Sequence, residues 1–452
     1  MSEVIKQGFC IGCGNCETNS PNCFSMEENK LGLIQAKLID DAIDIPNFDK
    51  ICPVISEKSE DFFNQTYQSD SLAYKKEIGF YRNVYAGFVN DEASRLESSS
   101  GGLTTHVIEE LFERGLITGA IVVGASSESK SRTEYSIIRS AKELNQSKKS
   151  KYHMTSHSEI AMRIMENSDQ ESLVFVGIPC SVKAIKLLGE EYPEFKKQIK
   201  YTISVFCGHQ KSHAFTEFVA WQMDISPPQL DSIDYRIKQS GGDASRYYYK
   251  AASKELVAER RVDSLKWMDW GLGLFKPKAC DFCDDVTGET ADVIFGDAWS
   301  RKYSQDYRGT NLVITRTKEM DDILASSHKR GLISLFNEDV GFVFATQGGN
   351  FRHRHEGLVS RKAFYEKEGL WFPPKNQTRM ARYSINSSRN KYYLDRHKIS
   401  LDSHEIFLKA KELNDLEYFW KTLAPQVSSY YKKSVTLPQK LKRLIKTILR
   451  RA

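Results

Sequence analysis

The first chemistry visible in this 452-residue chain lies in the spacing of its nine cysteines. Residues 10–16 read CIGCGNC, placing Cys10, Cys13 and Cys16 at C-x2-C-x2-C. A 4Fe–4S cubane needs four thiolates arriving from different directions, and two-residue gaps let one tight loop supply three of them. The fourth must come from elsewhere. Ile51-Cys52-Pro53 looks like the Cys-Pro end of a second ferredoxin motif whose other cysteines are missing. The simplest reading is one 4Fe–4S cluster on Cys10, Cys13, Cys16 and Cys52. Gly12 and Gly14 suit the tight turns between ligands. Cys23, in SPNC, is the competing fourth ligand. Zinc is the alternative occupant, but zinc ribbons use paired C-x2-C motifs or added histidines. A triple motif with a distant Cys-Pro is more specific to iron–sulfur chemistry. The degenerate second motif argues against three clusters.

Four cysteines remain: Cys180, Cys207, Cys280 and Cys283. Four is what a second cubane needs. Other roles stay open from spacing alone. Cys180 and Cys207 fit small core positions, and Cys280-Asp281-Phe282-Cys283 fits a redox disulfide or half a zinc site.

An α/β pattern must position these groups. Ser98-Ser99-Ser100-Gly101-Gly102 precedes THVIEELFERG, where Val107, Ile108, Leu111 and Phe112 form a helical stripe closed by Gly115. AIVVG (120–124) follows as a buried strand. A small-residue loop at a helix N-terminus can hold a phosphate on its amides and the helix dipole. Plain capping by Ser100 is the alternative. A second unit comprises a strand at 172–177, the turn Ile178-Pro179-Cys180, a helix in SVKAIKLLG and a strand at 201–208 containing Cys207. Both cysteines fall at C-terminal strand ends, where open α/β sheets gather ligands. Further strands are predicted at 291–299 and 311–317. Residues 54–85 are polar and read as a connector with some helix.

The length allows two or three domains, and 40% apolar with 27% charged residues is ordinary for a soluble protein. No run of 18 apolar residues occurs, and MSEVIKQGF lacks the apolar core of a secretory signal. A cytoplasmic chain is expected, with reduced thiols that need metal or redox chemistry to explain them. From Lys375 onward 18 Lys/Arg face 6 Asp/Glu, a charge of +12, so the remainder carries −7 of the total +5. An acidic body argues against nucleic-acid binding. The terminal PQKLKRLIKTILRRA places Leu441, Leu444, Ile445, Ile448 and Leu449 on one face among six Lys/Arg. This suits weak contact with the inner face of an anionic membrane; docking to the body or to an acidic partner stays open. His209 and His213 read either as a proton donor or, more simply, as polar residues opening a helix. FRHRHEG (351–357) reads as an anion-holding cluster or, more simply, as a solvated loop.

The ordered set SSGGLTTHVIEELFERGLITGAIVVG, SKYHMTS, GIPCSVKAIK, VFCGH, CDFC, ADVIFGDAW and GTNLVI resembles the coenzyme F-420 hydrogenase/dehydrogenase beta-subunit family over roughly residues 85–350. That family includes 7-hydroxymethyl chlorophyll reductase and members encoded in polysaccharide gene clusters. The resemblance implies FAD and a core 4Fe–4S cluster on Cys180, Cys207, Cys280 and Cys283. It also implies that Ser100, Gly101, Gly102 and Thr104 form a flavin-binding loop and that Ser150, Lys151 and Tyr152 form a second flavin contact. A lysine there can stabilise reduced anionic flavin. Lys151 and His209 are the candidate catalytic residues. Ile178-Pro179-Cys180 and Cys207-Gly208-His209 depart from the usual Thr-Pro-Cys and Cys-His-Gly.

The expected architecture is mixed α/β. It comprises a ferredoxin-like 4Fe–4S domain (1–60), a connector (61–85), a mixed-sheet core for FAD and 4Fe–4S (86–370), and a basic, mainly helical extension (371–452). The expected activity is that of an iron–sulfur flavoprotein reductase. Electrons from ferredoxin or a similar donor would pass through two 4Fe–4S clusters to FAD and a small organic substrate. The alternatives are an electron-transfer adaptor subunit without its own substrate and a zinc-binding interaction protein.

Overall fold

The computed structural model describes residues 3–39, 47–69, 71–126, 132–167, 170–374 and 386–434. The terminal basic helix expected within 438–452 lies outside the described residues. No described helix is long and apolar enough to cross a membrane.

In chain order the strands are β1 (Phe24–Glu28), β2 (Ile34–Leu38), β3 (Ala73–Lys75), β4 (Gly79–Tyr81), β5 (Asn83–Val89), β6 (Gly119–Ala125), β7 (Thr133–Ile138), β8 (Leu173–Gly177), β9 (Ile199–Val205), β10 (Ser232–Ile237), β11 (Tyr248–Ala252), β12 (Val257–Arg261), β13 (Val293–Asp297), β14 (Asn311–Thr315) and β15 (Ile333–Glu338). The central sheet has eight strands in the order β15-β5-β14-β13-β9-β8-β6-β7. Its middle four, β13, β9, β8 and β6, run parallel. The flanking pairings are antiparallel, so the fold is mixed α/β as expected. β1–β2 and β3–β4 are hairpins, and β10–β12 form a small antiparallel sheet.

Alternation along the strands divides the core between the two sheet faces. In β8, Val174 points into a cluster with Leu103, Val107 and Leu111 of the helix Leu103–Glu113 and with Met320 and Ile323 of the helix Lys318–Lys329. Its neighbours Leu173 and Phe175 point the other way. They pack against Val182, Ile185 and Leu188 of the helix Pro179–Glu191 and against Ala161 and Ile164 of the helix Ser158–Glu166. Each such fully buried side chain stabilises the fold by about 1.5–3 kcal/mol.

Two sequence expectations change. The strand expected at 201–208 ends at Val205; the Phe206 amide then donates to the Phe295 carbonyl (2.8 Å), and Cys207 lies beyond the sheet. FRHRHEG is not a solvated loop: Arg352–Glu356 form a π-helical turn between the helices Val340–Phe351 and Gly357–Lys367, with Arg354 and His355 buried. The described part of the basic extension is an antiparallel pair of helices, Ser387–Leu413 and Leu416–Ser434. Phe407, Phe419 and Leu423 of this pair share one core with Phe218 and Phe275. An aromatic stripe buries this segment despite its net charge.

Candidate functional site

The cysteine loop at 10–16 is shaped by its glycines and by the body it docks on. Gly14 opens the helix Asn15–Asn19 at φ 91°, left-handed backbone that a side chain resists. A Cβ at Gly14 would lie 2.7 Å from Ser158 Cβ. The Cys13 carbonyl accepts from the His157 amide (3.0 Å) and Ser156 Oγ (3.3 Å). Cys10 Sγ accepts from the amides of Gly12 (3.4 Å) and Ala36 (3.5 Å). Burial raises the Cys13 and Cys16 pKa values. Cys10 and Cys52 raise both further, and Cys13 adds to Cys16. Cys52 is pushed up to about 12, mainly by burial. The structure thus brings Cys10, Cys13, Cys16 and Cys52 together. Cys23 is buried beside Phe24 in the surrounding apolar cluster.

Asn15 pins this loop. It is 1% exposed, and its Nδ2 donates to the carbonyls of Ile51 and Ala184, each at 2.8 Å. Its Oδ1 must therefore accept from His157 Nε2 (2.8 Å). Burial pushes the His157 pKa down to about 3, so the ring is neutral with its proton on Nε2. Asn15→Ala leaves two buried groups, the Ile51 carbonyl and His157 Nε2, without partners. It is expected to destabilise the fold by about 2–4 kcal/mol, read as a lower denaturation midpoint. The loop should also become susceptible to protease before the central sheet does.

The second set forms where the parallel strands end. Cys180 lies in the first turn of the helix Pro179–Glu191 after β8, and Cys207 follows β9. Cys280 and Cys283 come from the 3-10 turn Lys278–Phe282 and its C-cap. Burial raises the Cys180 pKa, and Cys207, Cys283 and Cys280 raise it further. Cys207 is pushed up to about 12 by burial, with Arg354 opposing and Cys280 and Cys283 adding. Gln210 Nε2 donates to Cys180 Sγ at 3.8 Å.

Arg354, from the π-helical turn, ties the segments together. Its Nη1 donates to Cys283 Sγ and to the Asp285 carbonyl, both at 2.6 Å. Its Nη2 donates to the carbonyls of Cys207 (2.6 Å) and Gly208 (3.1 Å). His355 Nε2 meets the Asp284 carbonyl (3.0 Å), and Arg361 Nε donates to the Asp281 carbonyl (2.7 Å). A π-turn commonly marks a functional site in a helix; here it lets consecutive residues 354 and 355 both face inward. Asp281, inside the C-x2-C turn, meets Lys276, Arg361 and His397.

A cavity of about 620 Å³ adjoins this second set. Its lining includes Ser100, Gly102 and Thr104 of the small-residue loop, and Ser150, Lys151 and Tyr152. Cys207 and His209 line it too. Gly101 is not among the lining residues; it packs against the Gly87 carbonyl and Asn311. Ser100 does not cap the helix. Gly102 is the N-cap, at φ 87°, and Ser100 Oγ donates instead to the Thr310 carbonyl (3.1 Å). The Leu103 amide is taken by Asn311 Oδ1 (3.0 Å). Ser99 Oγ accepts from the Ser150 amide (2.8 Å), joining the two wall segments. Burial lowers the Lys151 pKa. His209 stacks on Trp270 (4.9 Å, 27°). Both its ring nitrogens are buried without a hydrogen-bond partner, and burial holds the ring neutral. His213 instead opens the helix His213–Trp221 and stacks on His153 (5.4 Å).

None of the nine cysteines is in a disulfide. Among the described residues, no group of three or more His, Cys, Asp or Glu side chains is arranged to hold a metal ion as it stands. The donor chemistry of the two cysteine sets fits a cubane, in which each thiolate binds a different iron atom and the sulfurs stand farther apart than around one ion. Iron would convert these raised-pKa thiols to thiolates as it bound.

Sequence reasoning missed Asn15, Arg354, Asp281 and Asn311. Asn311 lies inside GTNLVI, and Asn15 inside CIGCGNC, so both had a local signal. Arg354 had only its place in a basic run.

Among known proteins, the coenzyme F420 hydrogenase/dehydrogenase beta-subunit family matches in two parts, its N-terminal part over residues 84–161 and its C-terminal part over residues 170–340. A coenzyme F420-dependent sulfite reductase from Methanocaldococcus jannaschii is 24% identical over 343 residues, 72% of this chain and 46% of that protein. The chain thus spans about half the length of that relative. A coenzyme F420 hydrogenase subunit beta from Methanothermobacter thermautotrophicus is 20% identical over 260 residues, 56% of this chain and 84% of the relative. A chain of the F420-reducing NiFe hydrogenase complex from Methanosarcina barkeri matches in fold with a TM-score of 0.51 at 15% identity, covering 67% of this chain and 99% of its own. These named relatives are oxidoreductases, and the chain belongs to the coenzyme F420 hydrogenase/dehydrogenase beta-subunit family.

Proposed function

We propose that this chain is an iron–sulfur flavoprotein reductase. It accepts electrons from a ferredoxin-like donor at the N-terminal cysteine set and delivers them to a small organic substrate at the cavity. The observation that carries this reading is the position of Cys207, which is joined to Cys283 through the Arg354 guanidinium and also lines the cavity. Two 4Fe–4S clusters would supply one-electron carriers, held by Cys10, Cys13, Cys16 and Cys52 and by Cys180, Cys207, Cys280 and Cys283, and FAD would pair the electrons.

The chain's own residues do the rest. The 98–102 loop and the first turn of the helix after Leu103, whose own amide is held by Asn311, can present backbone amides to a diphosphate. Tyr152 and Trp270 give the cavity aromatic walls (ring centroids 5.0 Å apart). Neutral His209, with both ring nitrogens unpartnered, can hydrogen-bond a ligand at the inner wall. Lys151, its pKa lowered by burial, stands ready to gain from a nearby anion.

Anaerobic purification tests the reading. The expected result is about eight iron atoms and one flavin per chain. Cys280→Ser should lower iron to about half. A colourless protein with stoichiometric zinc would overturn the proposal. The relative's designation as a hydrogenase subunit favours a second reading, an adaptor that hands electrons to a partner enzyme. Reduced protein that turns over no acceptor in the absence of a partner would select the adaptor.

A further inference from the structure

We propose that Tyr135 bridges the two cysteine sets: an electron crosses through its ring from the 10–16 loop to the Cys180 side. The proposal rests on the iron–sulfur reading. Tyr135 projects from β7, at the sheet edge, and is 7% exposed. Its ring stacks on Phe175 of β8 (5.3 Å, 23°) and meets His157 edge-on (5.9 Å, 77°).

Each side of the ring leads to one set. Toward the N-terminal loop, the His157 amide donates to the Cys13 carbonyl (3.0 Å), and its ring holds Asn15 (2.8 Å). Toward the core, Tyr135 shares the cavity wall with Ser181, which follows Cys180 in the first turn of its helix. The hydroxyl also lies over Gly177, where a Cβ would come within 3.1 Å of it. Tyr135 lines the cavity as well. One side chain therefore touches the surroundings of both sets and the chamber between β7 and the strand ends. As independent support, the phenol pKa is raised by burial, and Cys180 and Cys13 each add to the rise. Both cysteines are thus within electrostatic reach of the same hydroxyl.

The step is a simple transfer. One electron leaves the N-terminal side, which is oxidised by one, and arrives at the core side, which is reduced by one. No bond forms or breaks. Tyr135 stays a protonated phenol throughout, and its packed ring replaces a gap that would slow tunnelling.

The test uses the full chain, reconstituted anaerobically as wild type, Tyr135→Phe and Tyr135→Leu. Iron content and the two cluster midpoint potentials are measured first, since a residue with only a structural role would change those. The rate of inter-cluster transfer is then followed by rapid-freeze electron paramagnetic resonance after fast reduction. Tyr135→Leu should slow transfer about tenfold at unchanged potentials, and Tyr135→Phe, which keeps the ring but loses the hydroxyl over Gly177, should slow it less than leucine does. Wild-type speed in the leucine variant overturns the proposal. So does a phenylalanine variant as slow as leucine. If leucine loses iron, Tyr135→Met fills similar volume without a ring and is read by the same criteria. Absence of cluster signals in the wild type would refute the iron–sulfur reading itself, separately from the bridge.

Discussion

Arg354→Leu is expected to cost roughly 3–5 kcal/mol of stability and, on the proposed iron–sulfur reading, to empty the core cysteine set of iron while the N-terminal set stays loaded. Arg354 is 4% exposed. Its guanidinium serves the carbonyls of Cys207, Gly208 and Asp285 together with Cys283 Sγ. Leucine replaces the stem but none of the donors, so carbonyls from two separate segments are left buried and unpaired. Those segments carry three of the four core cysteines, Cys207, Cys280 and Cys283, and they should drift apart. Arg354→Lys keeps the charge but not the planar fork that reaches several acceptors at once. It should fall between wild type and leucine. Denaturation midpoints and iron per chain measure both effects; a leucine variant with wild-type midpoint and full iron would remove Arg354 from the site.

Asp281→Asn should destabilise the protein by about 3–5 kcal/mol at neutral pH, because breaking one side of a buried ionic group leaves uncompensated charge. Asp281 is fully buried, yet Lys276, Arg361 and His397 hold its carboxyl well below the usual range. His397 Nδ1 lies 2.8 Å from Oδ2, and Arg361 Nε 3.4 Å from Oδ1. Burial and Arg396 oppose the charge on Lys276, and Asp281 favours it; the carboxylate remains the anion that the cations surround. Because the folded pKa lies below the unfolded value of about 3.9, the stabilisation is full above that pH. It is lost as pH falls through the folded value. The gap between wild type and Asp281→Asn should thus stay open from pH 7 down to about 5 and close only in stronger acid. Urea midpoints across that range check it, and a gap that closes near neutrality would contradict the assignment.

What could be read from the sequence was what is local. The helix after Gly102 and the strands β6, β8 and β14 follow from short apolar periods, and the structure places them within a residue or two of expectation. The 10–16 cysteine loop was legible because its fixed spacing gathers three thiols locally, whereas Cys180, Cys207, Cys280 and Cys283 were grouped only by the family resemblance. Long-range partners were not legible. Asn15 finds its acceptors 36 and 169 residues away, and Arg354 reaches Cys283 across 71. A run such as RHRHE carries no apolar stripe, so nothing local distinguishes a buried cation ringed by carbonyls from a solvated one. Net charge is equally silent at the C-terminus, where Tyr393, Ile399 and Phe407 bury a helix that reads as basic.

The docking of that helix also orders events during synthesis. His397 and Ser400 close the pocket around Asp281, yet they are made more than a hundred residues after Cys283. At about 5–20 residues per second, the ribosome takes roughly ten seconds to supply them. Until then the C-x2-C turn lacks its counterweight and its thiols remain accessible. Any iron that the core set takes would be locked in only once this helix docks, and a product stalled before residue 397 should emerge with its N-terminal loop competent and its centre unfinished.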